Sequence, residues 1–280
     1  MEDILHKIIA DKRIEVQGQK KIIPFQSLSE LVENQLYKTR SMRTSLTESP
    51  FGIIAEFKRK SPSKGWLHPN ADVADVVPAY EKGGASACSI LTDKDYFGGS
   101  LDDLQKARNL VNLPLLRKDF IIDPYQLFQA RLAGADAILL IASCLKQEEC
   151  FSLAETAHSL DLEVLLEIHN ESELEHLNPH IDMLGVNNRN LGTFHTDINN
   201  SFRLMEQMQE HIGRSGGTAP LLIAESGISD AETVLQLRKA GFRGFLIGET
   251  FMKTERPGET LAEFLRNFSL NAKAQSSQRR

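Results

Sequence analysis

The chain reads as a closed (β/α)8 barrel, an α/β fold of the TIM-barrel type with extra helices at its amino terminus. Three observations point there. Eight short apolar runs recur along the 280 residues: Ile53–Phe57, Ala87–Leu91, Pro114–Lys118, Ala137–Ile141, Val164–Glu167, Met183–Asn187, Leu221–Glu225 and Gly244–Gly248. Unbroken hydrophobicity is what strands covered on both faces of a parallel sheet require, and parallel neighbours need a crossover between them. The segments between the runs carry helix signals. Three of those segments end alike, in KGGASA, LAGADA and KAGFRG, each a glycine C-cap that turns directly into the next strand. The length suits a barrel, which typically takes ~250 residues. An open dinucleotide-binding sheet has less support, because no GxGxxG turn follows the first strand.

Taken in order, the elements begin with about 50 residues ahead of the first strand. Ile4, Leu5, Ile8 and Ile9 recur at helical spacing, and Ser27–Leu36 reads as a second helix, so this segment is expected to pack on the barrel as appended helices. Asp72–Lys82 leads into GGA, Leu101–Val111 follows Gly-Gly-Ser, and Asp123-Pro124 opens a run to Ala133. Gln147–Leu160 is amphipathic, and Asp230 caps a helix that reaches Ala240 before Gly241. Capping residues at the start and glycine at the end are the expected helix punctuation. The reading is one domain over residues 1–268, with the extra helices at about 1–50 and a polar, disordered tail over 269–280.

Composition narrows the function classes. The chain is 41% hydrophobic and 25% charged with a net charge of −6, ordinary values for a soluble globular protein. It has no basic run to attract nucleic acid and no apolar stretch approaching the ~20 residues of a membrane span. The opening MEDILHKIIADKR lacks a secretory cleavage pattern, so a cytoplasmic protein is expected, and a monomer. Cys88, Cys144 and Cys150 fit neither a metal spacing nor a disulfide framework, and they read as buried thiols. Pro179 breaks the i,i+4 pair His176 and His180, so no metal site is expected.

The chemistry lies at the strand ends. Side chains alternate faces along a strand. Ile54, Glu56 and Lys58 therefore share a face, as do Leu116 with Lys118, Leu165 with Glu167, and Gly185 with Asn187. In the seventh run the same reading groups Leu222, Ala224 and Ser226. Each series turns polar toward its carboxyl end, where a barrel keeps its active site. Glu56, Lys58, Lys118, Glu167, Asn187 and Ser226 are thus expected to converge, instead of forming a self-neutralising ion network or facing the helix layer. Two lysines and two glutamates in one pocket would shift one another's pKa values. Such a site can hold an acid and a base near neutral pH.

The loops add anion binding. AESGIS (Ala224–Ser229) and LIGETFMK (Leu246–Lys253) follow strands seven and eight, where barrels build phosphate sites from backbone N–H groups. The first loop, KRKSPSKG (Lys58–Gly65), supplies Ser61, Ser63 and Lys64. Phe97 and Phe120, on loops at the same end, offer either an apolar wall or ordinary packing. His169, just past Glu167, is placed at the surface.

AEFKRKSPSKG (Ala55–Gly65), LTDKDYFGGS (Leu91–Ser100), LLRKDFIIDPYQ (Leu115–Gln126), LLEIH (Leu165–His169), GVNNRNL (Gly185–Leu191), AESGIS and LIGETFM closely resemble the indole-3-glycerol-phosphate synthase family of tryptophan biosynthesis. The likeness runs from about Ile4 to Phe268, with the motifs in family order. It implies a carboxy-lyase that converts 1-(2-carboxyphenylamino)-1-deoxyribulose 5-phosphate to indole-3-glycerol phosphate, using no metal or organic cofactor. Carried over by motif, Glu56, Lys58, Lys118, Glu167, Asn187 and Ser226 match active-site positions. Lys118 would protonate the ribulose carbonyl, and Glu167 would act as base in the dehydration. Lys58 would hold the anthranilate carboxylate or serve as an acid in one step, while Glu56 and Asn187 orient the lysines and substrate hydroxyls. Arg189 would join the same end of the site. The phosphate would lie on Ser226, Gly227, Gly248 and the N–H of Glu249, and Phe97 and Phe120 match the aromatic-ring pocket.

Two positions depart from the pattern: Glu249, where many members carry a small residue, and Asn190, where Asp is common. A carboxylate beside a phosphate repels unless it points away and only its N–H is used. Two other functions compete with the synthase. A phosphoribosylanthranilate isomerase would want a Cys/Asp pair at strand ends, which is not evident, and a non-catalytic phosphosugar-binding barrel would have lost a strand-end Lys or Glu.

Overall fold

A computed structural model describes residues 4–34, 37–189, 195–214 and 218–277. Eight parallel strands close into a barrel in chain order. They are β1 (Ile53–Phe57), β2 (Ala87–Leu91), β3 (Leu115–Lys118), β4 (Ala137–Ile141), β5 (Glu163–Ile168), β6 (Met183–Asn187), β7 (Leu221–Glu225) and β8 (Gly244–Ile247). The ring shuts where Ile54 of β1 pairs with Leu246 of β8 on one side and with Ala87 of β2 on the other. Every run read as a strand is one, with ends displaced by a residue or so. Pro114, placed in the third run, lies just ahead of β3.

Because each strand is covered on both faces, the structure has two apolar layers. Ile54, Ala87, Leu116, Leu139, Leu165, Met183, Ile223 and Leu246 fill the barrel's interior. Ile53, Ala55, Cys88, Ile90, Leu115, Ile138, Leu140, Leu166 and Ala224 face the helices instead. Burying each Leu or Ile fully stabilises the fold by roughly 1.5–3 kcal/mol.

The three repeated helix endings are one device used three times. Gly84, Gly134 and Gly241 close their helices with φ of 98°, 88° and 118°. The next residue donates back into the helix: Ala85 N to Tyr80 O at 3.0 Å, Ala135 N to Ala130 O at 2.9 Å, and Phe242 N to Leu237 O at 3.1 Å. One residue on, Ser86, Asp136 and Arg243 each donate to the preceding strand, to Ile53, Leu115 and Leu222 at 2.9 Å. The helix end thereby fixes the register of the strand that follows. At the other end Asp72, Ser100, Asp123 and Asp230 cap their helices, Asp123 in a capping box with Gln126.

The amino-terminal segment forms α1 (Ile4–Ile22), α2 (Phe25–Glu33) and α3 (Met42–Glu48). The second of these ends at Glu33, short of the Leu36 that the spacing suggests, and 35–36 fall outside the described residues. Val16 and Leu28 pack against Tyr125, and Lys20 pairs with Asp123 at 2.6 Å, so α1 and α2 lean on the helix Pro124–Ala133. The carboxyl end departs from expectation. The last helix runs from Pro257 to Ser277, well past the Phe268 at which the sequence reading ended the folded domain. Phe264, Leu265 and Phe268 bury one face of that helix on the barrel, and its backbone continues helical through the polar residues beyond. Among the described residues, no helix is long and apolar enough to cross a membrane.

Candidate active site

A pocket of 560 Å³ opens at the carboxyl ends of the strands. Every residue singled out in the sequence for catalysis or binding lines it, from Glu56 and Lys58 round to Gly248 and Glu249.

Its floor is charged. Lys118 Nζ, from β3, lies 2.8 Å from Glu167 Oε2 and 3.1 Å from Glu225 Oε2. Asn187 Nδ2 donates to Glu167 Oε1 at 3.0 Å, which fixes that carboxylate from the neighbouring strand. Lys58 Nζ sits 2.6 Å from Glu56 Oε1. Three carboxylates therefore face two ammonium groups. Burial alone would lower the Lys118 pKa, but Glu167, Glu225 and Glu56 more than reverse this and hold the ammonium charged. Burial would raise Glu167 too, and here Lys118, His169 and the bond from Asn187 prevail and keep it ionised. Glu225 goes the other way: burial, with repulsion from Glu167 and Glu56, outweighs Lys118 and raises it well above the usual carboxylate range. Its Oε1 has no hydrogen-bond partner among the described residues. An ionised base, a charged acid and a carboxyl that readily holds a proton thus share one floor.

Glu225 was not among the expected residues. The alternation read for the seventh strand grouped Leu222, Ala224 and Ser226, whereas Ile223 and Glu225 are the side chains that point inward. Gly185 leaves room for this, since a Cβ there would stand 2.4 Å from Glu225 Oε1. Ser226 still reaches the pocket because the chain leaves the strand there. Ser226 and Gly227 adopt left-handed φ of 65° and 77°, which ends the alternation and turns the loop over the site. Across the pocket Gly248 admits Glu56, whose Oε1 would lie 2.3 Å from a Cβ at that position. The strand-end charge in AESG was the one available signal for Glu225, and it was masked by apolar residues on both faces.

The first loop is a small hairpin, Lys60–Ser61 against Gly65–Trp66, which the sequence reading missed. Only some of its cations face the pocket. Arg59 grips Asp103 at 2.7 and 2.9 Å, and Lys60 Nζ donates to Asp95 O at 2.8 Å, so both hold the loop in place. Lys58 and Lys64 line the cavity with Ser61 and Ser63. The Ser61 hydroxyl is buried and without a partner among the described residues.

Arg189 ties three loops together. Its Nη2 donates to Glu249 Oε2 at 3.1 Å, Nη1 to Ser63 Oγ at 3.2 Å and Nε to Thr196 Oγ1 at 3.2 Å. Its backbone N–H donates to Asn187 Oδ1 at 3.0 Å. Glu249 is accordingly turned toward cations: burial would raise its pKa, but Arg189, Lys64 and Lys58 hold it below the ordinary value. Asn190, the other departure noted in the sequence, falls outside the described residues.

An apolar wall completes the pocket. Phe97 and Phe120 stand with ring centroids 6.1 Å apart, and Ile4, Leu5 and Ile8 of α1 line the same cavity. That helix is pinned by Lys12, buried to 2% exposure, which reaches Asp93 at 2.9 Å and Asp119 at 3.0 Å. Asp119 also takes Arg117 at 3.0 Å and the Thr92 hydroxyl at 2.6 Å. Burial would raise Asp119, yet Arg117 and Lys12 lower it. This network sets the backbone between Lys118 and Phe120, and Lys12 gave no sign of it in sequence.

His169 is a further correction. Expected at the surface, its side chain is only 11% exposed, between Glu167 and Glu173.

Comparison with known proteins agrees with the geometry. Residues 5–264 match the family described as indole-3-glycerol phosphate synthase. A protein of that name from Bacteroides thetaiotaomicron is 58% identical over 266 residues, covering 95% of this chain and 99% of its own. Those from Salinibacter ruber and Polaromonas naphthalenivorans are 42% and 41% identical, covering 92% and 94% of this chain and 94% and 98% of theirs. Among solved structures, a mutant tryptophan synthase alpha-subunit from Pyrococcus furiosus superposes with a TM-score of 0.58 at 12% identity. It covers 78% of this chain and 97% of its own, a likeness of fold alone. Sequence and structure together place this chain in the indole-3-glycerol phosphate synthase family.

Proposed function

We propose that the chain closes the indole ring of 1-(2-carboxyphenylamino)-1-deoxyribulose 5-phosphate, releasing carbon dioxide and water, as a carboxy-lyase. The observation that carries this is Lys118 held between Glu167 and Glu225 on the floor of a pocket with an apolar wall on one side and glycine-rich loops on the other. The anthranilate ring lies against Phe97, Phe120 and Ile8, its carboxylate toward Lys58. The phosphate rests on the loops at Ser226–Gly227 and Gly248–Glu249, with Lys64 and the Ser61 and Ser63 hydroxyls closing over it. Arg189, drawn toward Glu249 in this structure, adds positive charge at that end.

Lys118 gives a proton to the ketone oxygen as the ring carbon bonds to the carbonyl carbon. The carboxylate then leaves as carbon dioxide, and its bonding pair restores the aromatic ring. Glu167 removes a proton from the carbon beside the ring nitrogen while the new hydroxyl takes a second proton from the Lys118–Glu225 pair and departs as water. Glu225, with its raised pKa, keeps a proton near Lys118. No metal or organic cofactor enters the scheme, and we assign the reaction to a cytoplasmic monomer. Adding the substrate to purified protein in metal-free buffer should produce indole fluorescence. A folded protein that gives none is not this enzyme.

A further inference from the structure

We propose that His169 and Glu173 form a proton inlet that recharges the buried acid–base pair Glu167 and Lys118 at each turnover. This inference rests on the proposed reaction, whose proton balance demands such a path. Converting the ketone oxygen to water takes two protons, and forming the ring double bond returns one. With the substrate carboxylate ionised, each turnover draws one proton from solvent. The pair that uses it is poorly placed to receive it, since the side chain of Glu167 is 2% exposed and substrate would cover Lys118.

Behind Glu167, away from the cavity lining, lies a chain of groups that leads outward to the exposed Asn170. His169 Nε2 stands 3.4 Å from Glu167 Oε1 and has no hydrogen-bond partner among the described residues. Its Nδ1 stands 3.4 Å from Glu173 Oε2. Glu173 also accepts the His169 backbone N–H at 2.7 Å and the exposed Asn170 amide at 2.8 Å, and Asn200 Nδ2 donates to the His169 carbonyl at 2.9 Å. The ring is thus held at both ends with one nitrogen aimed at each carboxylate. Imidazole passes a proton from one nitrogen to the other: Nδ1 accepts one from Glu173 as Nε2 releases one to Glu167, and a half-turn of the ring about Cβ–Cγ restores the starting tautomer for the next turnover. The distances are long for hydrogen bonds, as catalytic contacts often are before substrate arrives. The charged groups facing the ring are Glu167, Glu173 and, farther off, Glu225. Burial would lower the ring's pKa, but these carboxylates raise it above the ordinary histidine value.

The test is turnover of His169→Gln as a function of buffer. The variant should lose about 100-fold in kcat. KM should stay near the wild-type value, and added imidazole should restore most of the loss. Glu173→Gln, which keeps the side chain's shape and an oxygen to accept the His169 N–H, should show a smaller loss with the same buffer dependence. Turnover equal to wild type in both variants, or a loss that no buffer restores, overturns the inlet and leaves His169 a packing residue. Failure of the wild-type protein to form the indole product would instead overturn the reaction itself.

Discussion

The two ends of the barrel each bury an ion cluster, and they are built on opposite terms. At the amino ends of the strands, Asp136 is fully buried with both oxygens filled. It accepts from Arg108 at 2.7 Å, Leu115 N at 2.8 Å, Arg40 N at 2.8 Å and the Tyr37 hydroxyl. At the carboxyl ends, among the described residues, Glu225 has one oxygen on Lys118 and the other on nothing, and the Ser61 hydroxyl is also unpartnered. A buried carboxylate with four donors is a finished joint, whose charge has nothing left to give. A floor with more carboxylates than cations holds unspent bonding capacity, which is what a substrate with a carbonyl, hydroxyls and two anionic ends can use. Asp136 spends its bonding capacity within the fold, whereas Glu225 keeps part of its own for the pocket.

The sharpest way to break this contrast is Lys118→Ala. Turnover should fall by about 10²–10⁴-fold. Stability should change little, because Glu225 can take up a proton in place of the lost ammonium. Single-turnover fluorescence and denaturant unfolding on the same preparation would check both halves, and near-normal turnover would sink the assignment. Asp136→Ala should do the reverse. Stripping a carboxylate from Arg108, Tyr37 and two backbone N–H groups should cost about 3–5 kcal/mol in guanidinium unfolding. Turnover per folded molecule should stay within about twofold, since the site lies at the other end.

A smaller effect sharpens the comparison. The pKa of Glu225 is raised by folding, so the folded state binds the proton more tightly than the unfolded one. Stability from this group is present below the ordinary glutamate value and is lost as pH rises toward the raised one. Glu225→Gln removes that loss. Its stability relative to wild type should therefore improve across that window, by on the order of 1–2 kcal/mol. A difference that is flat with pH would mean Glu225 stays ionised in the folded protein.

Much of this was legible in the residues. The three glycine endings fix helix and strand boundaries through local backbone bonds, which a short sequence window contains in full. Glu56, Lys118 and Glu167 were found because a charge closing an apolar run is costly wherever the chain folds. Glu225 satisfied the same criterion, yet its face was misread. A strand covered on both sides is apolar on both sides, so Leu222 and Ala224 looked as suitable for the interior as Ile223. Only the pairing with β6 and β8, and the left-handed turn at Ser226, put Glu225 inside and still brought Ser226 to the pocket.

Long-range partners account for what else was missed. Lys12 looked like any helical lysine until Asp93 and Asp119 closed round it, and His169 looked exposed until Glu173 covered it. Glu249 looked hostile to an anion until Arg189 turned toward it from another loop. By itself the sequence determined the barrel, the end that carries the pocket and the family, because those rest on local patterns and residue chemistry. The tertiary structure decided which charges neutralise one another and which remain free, because that depends on distances of a few ångströms between segments far apart in the chain.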